Sequence, residues 1–213
     1  MSDFARQERA AICDTFDRVG PDAPTVDEGW AARDLAAHLV IRESRPDLAA
    51  GMFVPPLKDR LDTAMEEMAH GDWTALVEKI RTGPPALSPA RFGPVDELMN
   101  KLELFIHHED VLRAEPGTER RAIPHDYEQS LWRTVRGMSK LTFRSAPAGV
   151  VLVADDLGRH AVKGPTDLGT VVLKGRAGDL VLYASGRQRV ADVEVTGPPE
   201  AVAAMASLEL GMG

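Results

Sequence analysis

The sequence predicts an α+β protein with a helical N-terminal domain and a smaller mixed C-terminal domain. Over the first two thirds, apolar residues recur every three or four positions, which is typical of amphipathic helices. The composition changes around 146–149, and short runs of β-branched residues follow. We therefore expect domains at 1–146 and 147–213, the second one small enough to be marginally stable alone.

The first domain is predicted to be a bundle of helices. Phe4, Ile12 and Phe16 share one helical face, and Gly20-Pro21 ends the pattern, which predicts a helix over 3–19. Segments with proline or glycine separate the other predicted helices and include a long connection over 84–94. These further helices are predicted over 30–43, 57–69, 72–82, 95–114 and from residue 125 onward.

The second domain is predicted to contain a small sheet. Strands are expected at 150–153, 160–162, 170–173 and 190–195, where β-branched residues cluster or alternate with polar ones. The segment 178–184 fits either a strand or a helix, because its pattern does not distinguish the two. The alanine-rich end of the chain predicts a helix over 199–208.

Charge and cysteine content exclude several classes of function. The net charge is −8, which argues against a nucleic acid or an anionic membrane as partner. A single cysteine rules out a disulfide framework and any CxxC site. The chain begins with charged residues, and no apolar run approaches the roughly 20 residues of a membrane span. We expect a soluble, cytoplasmic protein.

The helix predicted over 95–114 carries the clearest chemical signal. Glu103 and His107 are four residues apart and Asp110 follows three later, so all three lie on one face. The ionisable residues 107–110 interrupt an apolar helix, and those turned inward need a partner. A divalent metal would be such a partner, although a Glu–His pair at this spacing is also common on solvated faces.

His38 strengthens the metal hypothesis. It lies in the helix predicted over 30–43, on the apolar side where a bundle brings helices face to face. With Glu103 and His107 it completes a set of two imidazoles and one carboxylate, which suits zinc and is acceptable to nickel, cobalt or iron. Three protein ligands leave coordination positions open, as in catalytic rather than structural sites.

Two arginines are candidates for binding a substrate anion. Arg42 follows His38 by one helical turn and would be placed to hold a substrate carboxylate, with a surface ion pair as the alternative. Arg187, or its neighbour Arg189, would reach over from the second domain, with a solvated strand end as the alternative. Cys13 is expected to be a small buried hydrophobe, and His108 a partly buried hydrogen-bonding residue.

Several motifs carry a resemblance to a known family. They are Gly29-Trp30, Asp34-Leu35, His38-Leu39 and Glu103-x-x-x-His107-x-x-Asp110. Together they resemble the DinB-like metal-binding four-helix bundle, and within it the mycothiol-dependent maleylpyruvate isomerases and their actinobacterial relatives. That branch carries a C-terminal α+β domain similar to sterol-carrier proteins, and the segment 177–187 resembles its stretch ending in Gly-Arg.

The resemblance implies a site and a chemistry. It implies a metal held by His38, Glu103 and His107, with Asp110 orienting one of the ligands. The ligand set itself favours zinc. We expect Asp110, Arg42 and Arg187 to contribute to catalysis. Many relatives carry a cysteine just before the tryptophan motif, whereas this chain has Val26-Asp27-Glu28 at that place.

Three functions remain open at this point. The first is an enzyme that activates a low-molecular-weight thiol, mycothiol by resemblance, for isomerisation or S-transfer on a small electrophile. The second is a metal-dependent hydrolase that uses bound water, with Asp110 or Glu109 carrying the proton. The third is a non-catalytic protein that binds a metal or a small molecule.

Overall fold

The computed structural model describes residues 3–52, 54–85, 93–115, 117–118 and 120–211. Within this part of the chain it contains nine α-helices and one four-stranded sheet, which confirms the α+β class. Most of the predicted connection over 84–94 lies outside the described residues. None of the helices in the described ranges is both long and apolar enough to span a membrane.

The chain separates into two compact units, residues 1–120 and residues 121–213. The sequence placed the boundary later, after residue 146. The change in composition marks the end of the helical stretch, but the helix that precedes it packs against elements of the second unit. Glu128 on that helix, for instance, accepts a hydrogen bond from the backbone N–H of Gly178 at 3.0 Å.

The first unit is helical, and its helices start and end within about two residues of their predicted positions. Its core is formed by side chains such as Ile12, Phe16, Leu35 and Leu104, which are almost fully buried. A single-turn helix that the sequence did not indicate follows the second one. The helices are α1 (Phe4–Val19), α2 (Ala32–Ser44), α3 (Pro46–Ala49), α4 (Lys58–Ala69), α5 (Trp73–Thr82) and α6 (Gly93–Leu112).

The start of α2 is fixed by the loop before it. Gly29 has a φ of +82°, a left-handed conformation that glycine adopts without steric cost. The Asp34 carboxylate accepts the N–H of Ala31 at 2.9 Å and so satisfies one of the free donors at the helix start.

The second unit packs helices on a sheet. Its strands are β1 (Gly149–Ala154), β2 (Gly158–Lys163), β3 (Thr170–Gly175) and β4 (Glu194–Thr196), in the spatial order β2-β1-β3-β4. β1 pairs antiparallel with β2 and parallel with β3, and β4 pairs antiparallel with β3. The helices are α7 (His125–Thr142), α8 (Ala177–Ala184) and α9 (Pro199–Ala206).

Two sequence predictions for this unit are resolved by the structure. The ambiguous segment 178–184 is helical, as part of α8. The strand predicted over 190–195 is wrong for its first four residues, since β4 begins only at Glu194. The N–H of Asp192 donates instead to the Asp179 carboxylate at 2.9 Å, and that of Val190 donates to the Arg187 carbonyl at 3.1 Å.

Candidate metal centre

His38, Glu103 and His107 come together in the helical unit. Their potential ligand atoms all lie within 4.8 Å of one another. His107 Nε2 is 3.6 Å from Glu103 Oε2, and the rings of His38 and His107 meet edge to face with centroids 5.0 Å apart. Residues separated by most of the helical unit in sequence thus form one cluster.

The donor set fits a divalent cation. Two atoms each about 2.1 Å from one tetrahedral zinc ion lie about 3.4 Å apart, close to the separation of His107 Nε2 and Glu103 Oε2. Two imidazoles and one carboxylate are ligands that zinc accepts readily. The His107 side chain is 8% exposed and that of Glu103 is 29% exposed, so solvent reaches the cluster at the carboxylate.

Asp110 holds the His107 ring from behind. Its Oδ2 is 3.0 Å from His107 Nδ1, and the residue is fully buried. Because an ionised carboxylate can only accept, the hydrogen of this bond belongs to Nδ1. The other ring nitrogen, Nε2, is the one that faces Glu103, as required for a ligand whose orientation is fixed by a carboxylate.

The metal-free cluster is an ion-paired arrangement. Burial disfavours protonated His107, but its hydrogen bonds to Asp110 and Glu103 and the charges of both outweigh burial and raise the pKa to about 9. Burial likewise disfavours ionised Glu103, yet the bond to His107 and the charges of Arg42 and the histidines lower its pKa to about 2. A metal therefore competes with a proton for His107 at neutral pH.

Arg42 lies beside the cluster, one turn beyond His38. Its Nε is 3.4 Å from Glu103 Oε2, and its Nη1 donates to Asn100 Oδ1 at 2.7 Å. These two contacts are with side chains of the protein, Glu103 and Asn100. Contact of Arg42 with a substrate stays a prediction.

Asp27 is a neighbour of the cluster that the sequence did not indicate. One of its carboxylate oxygens lies within 4.8 Å of ligand atoms of both His107 and Asp110. The loop that carries it is tied to α6, since the N–H of Val26 donates to the Asp110 carbonyl at 2.9 Å. Loop residues have no periodicity, so no sequence pattern could have placed Asp27 here.

The expected burial of Cys13 and hydrogen bonding of His108 are confirmed, and His108 is more deeply buried than expected. His108 is buried and hydrogen-bonds through both ring nitrogens, to Glu8 at 2.6 Å and to Thr15 at 2.9 Å. Cys13 is fully buried, and burial raises the pKa of its thiol to about 12. A thiol with that pKa is protonated at neutral pH and is a poor nucleophile.

Arg187 lies in the turn after α8, in the second unit. It is partly buried, and its Nη1 donates to the Ser185 carbonyl at 2.9 Å. Arg189, two residues later, is exposed. A role of either side chain in substrate binding stays a prediction.

The chain is an α+β protein of two compact units, with His38, Glu103 and His107 grouped among the helices of the first. The fold is similar to the crystal structure of the mycothiol-dependent maleylpyruvate isomerase, with a TM-score of 0.61 and 17% sequence identity over 92% of this chain and 91% of that one. A variant of that enzyme with one histidine replaced by alanine gives a TM-score of 0.62 at the same identity and coverage. No protein-family model matches the sequence, and no curated protein matches it either.

Proposed function

We propose that this protein is a metal-dependent enzyme that activates a low-molecular-weight thiol, mycothiol in the first place, for attack on a small electrophile. The observation that carries the proposal is the His38, Glu103 and His107 cluster, with Asp110 fixing one histidine from behind. The similarity of the fold to a mycothiol-dependent isomerase supports the choice of thiol.

A free thiol, with a pKa near 8.5, is mostly protonated at neutral pH and needs activation before it can attack. A divalent cation held by His38, Glu103 and His107 would favour the thiolate. Asp110 keeps the His107 ring oriented and holds the proton on Nδ1, so that Nε2 is the nitrogen that would bind a metal once its own proton has left.

The thiolate would then attack an electrophilic carbon of the substrate. In an isomerisation, a C–S bond forms at an activated double bond, the remaining single bond rotates, and the C–S bond breaks again. In an S-transfer, the C–S bond persists in the product, and the carbanion formed when the double bond opened takes up a proton from water. Arg42, beside the cluster, is the proposed cationic group for orienting a substrate carboxylate.

Metal analysis combined with thermal stabilisation by mycothiol tests the proposal. We expect the wild type to hold about one zinc per chain and to gain thermal stability when mycothiol is added. His38→Ala and His107→Ala should lose both properties. His70→Ala, at an exposed histidine of the same unit, is the matched control and should retain them.

Each alternative outcome has a definite meaning. Full metal occupancy in both cluster variants would contradict the proposed ligands. Metal binding without any effect of mycothiol would contradict the thiol, and turnover of electrophiles without thiol would indicate a hydrolase instead.

A further inference from the structure

A chain of partly buried hydrogen bonds and ion pairs leads from Arg9 on α1 to Glu103. We infer that Asn100, on α6, is a positioning residue within it: it holds Arg42 against Glu103 and thereby restricts where the Glu103 carboxylate can lie. This inference rests on the proposed function, because it concerns how a proposed metal ligand is held.

Asn100 stands between two charged side chains. Its Oδ1 accepts from Arg42 Nη1 at 2.7 Å, and its Nδ2 donates to Asp96 Oδ1 at 2.7 Å. Arg42 Nε in turn lies 3.4 Å from Glu103 Oε2. Asn100 is only 1% exposed, so water cannot readily replace either of its partners.

The two neighbours determine the orientation of the Asn100 amide. A guanidinium offers only donors, and an ionised carboxylate offers only acceptors. The amide oxygen must therefore face Arg42, and the amide nitrogen must face Asp96. Aspartate would place an acceptor against the Asp96 carboxylate, and leucine would leave both neighbours without this bond. Asparagine satisfies both contacts at once.

Asp96 Oδ1 also accepts a hydrogen bond from a second donor, Arg9. Arg9 on α1 donates from Nη2 to Asp96 Oδ1 at 2.9 Å and from Nη1 to Glu43 Oε2 at 2.6 Å. Arg9 is 5% exposed, and the Glu43 side chain is 4% exposed. The charged side chains around Asn100 are therefore paired with one another and belong to three helices. This pairing holds Asp96 and Asn100 in place, and Asn100 in turn restrains Arg42.

A restrained carboxylate binds a cation better than a mobile one, because less side-chain freedom is lost on binding. This role of Arg42 differs from substrate binding in a measurable way. Loss of a substrate contact raises KM and leaves metal affinity unchanged, whereas loss of the restraint on Glu103 weakens metal affinity before any substrate is added.

The experiment compares cobalt(II) binding by the wild type, Asn100→Leu, Arg42→Lys and the double variant. Val77→Ala, a buried change on α5 outside the network, controls for a general loss of stability. Asn100→Leu should bind cobalt about 10–100-fold more weakly, with a changed visible absorption spectrum. Val77→Ala should lower the melting temperature and leave affinity and spectrum unchanged.

The double variant tests whether Asn100 acts through Arg42. If it does, Asn100→Leu adds little to the effect of Arg42→Lys, whereas additive losses would overturn the inference. Wild-type affinity and spectrum in Asn100→Leu would overturn it as well.

A metal-free measurement separates this inference from the proposed function. In NMR spectra of the wild type without metal, the Arg42 Nε–H signal should be sharp, and in Asn100→Leu it should broaden or vanish. An unchanged signal would overturn the inference. Failure of the wild type to bind cobalt would contradict the proposed function, and the Arg42 signal would still decide whether Asn100 restrains Arg42.

Discussion

Two faces of α6 carry adjacent histidines with different surroundings. His108 has both ring nitrogens occupied, by Glu8 and by Thr15, and Glu8 is only 2% exposed. His107 has one nitrogen on Asp110, while the other faces Glu103 and is close to the ring of His38. Burial is similar at the two positions. The difference lies in how partners are distributed over the ring nitrogens, and this distribution separates a structural histidine from a candidate ligand.

Changing each histidine to glutamine tests most directly whether only His107 binds the metal. His107→Gln should weaken zinc binding by more than about 100-fold, because a first ligand and its link to Asp110 are both lost. His108→Gln should retain zinc, since neither of its partners belongs to the cluster. Competition with a metal indicator measures both affinities. Equal losses in the two variants would show that the two faces do not differ as proposed.

The face of α6 that carries His108 can be tested by measuring protein stability rather than metal affinity. Glu8→Ala removes a buried hydrogen-bond partner of His108 and should lower the free energy of unfolding by about 2–3 kcal/mol. Urea denaturation measures this loss, and metal content serves as the control that should not change. Wild-type stability would mean that His108 finds another partner on this face.

Weakening the hydrogen bond between His107 Nδ1 and Asp110 should have an intermediate effect on zinc affinity. Asp110→Asn preserves the shape of the side chain but weakens its hold on Nδ1, so zinc affinity should fall by about 10–100-fold. At saturating zinc the variant should still hold one ion per chain. Loss of zinc even at saturation would make Asp110 a direct ligand.

A further test is the pH dependence of the stability of the metal-free protein. The pKa of His107 is about 9 against an ordinary 6.5, so its contribution to stability is complete below about 6.5 and is lost as pH rises through 9. The pKa of Glu103 is about 2 against 4.5, so its contribution is complete above 4.5 and is lost as pH falls through 2.

Metal-free protein should accordingly be most stable between about pH 4.5 and 6.5 with respect to these two groups. Urea denaturation in the presence of a chelator, at a series of pH values, measures the profile. His107→Gln should flatten the alkaline decline, and His108→Gln serves as the comparison. An unchanged alkaline decline in His107→Gln would assign that decline to another group.

The sequence predicted what helix geometry alone determines. Glu103, His107 and Asp110 belong to one helix, so their spacing was enough to place them side by side. Adding His38 required the apolar pattern of α2 and the family resemblance. The wider surroundings were not predictable, because Arg9, Asp96 and Asn100 look like ordinary polar helix residues, and their burial follows from packing between distant helices.

The one error among the predicted strands has a physical cause of the same kind. The alternation over 190–195 is typical of a strand, but the Asp179 carboxylate captures a backbone donor that a strand would need. The composition near 146–149 marks where helices give way to strands. It does not mark the boundary of the compact units, because α7 packs against α8.

His38 and Glu103 stand 65 positions apart in the sequence yet share one cluster. An ion bound to both would act as a reversible cross-link that closes residues 38–103 into a loop, much as a disulfide does. For a closed ring of that size, the chain-entropy relation for cross-links gives about 4 kcal/mol of destabilisation of the denatured chain. A chelator would therefore remove a stabilising cross-link as well as a reactive centre, and the unfolding midpoint would depend on the metal concentration.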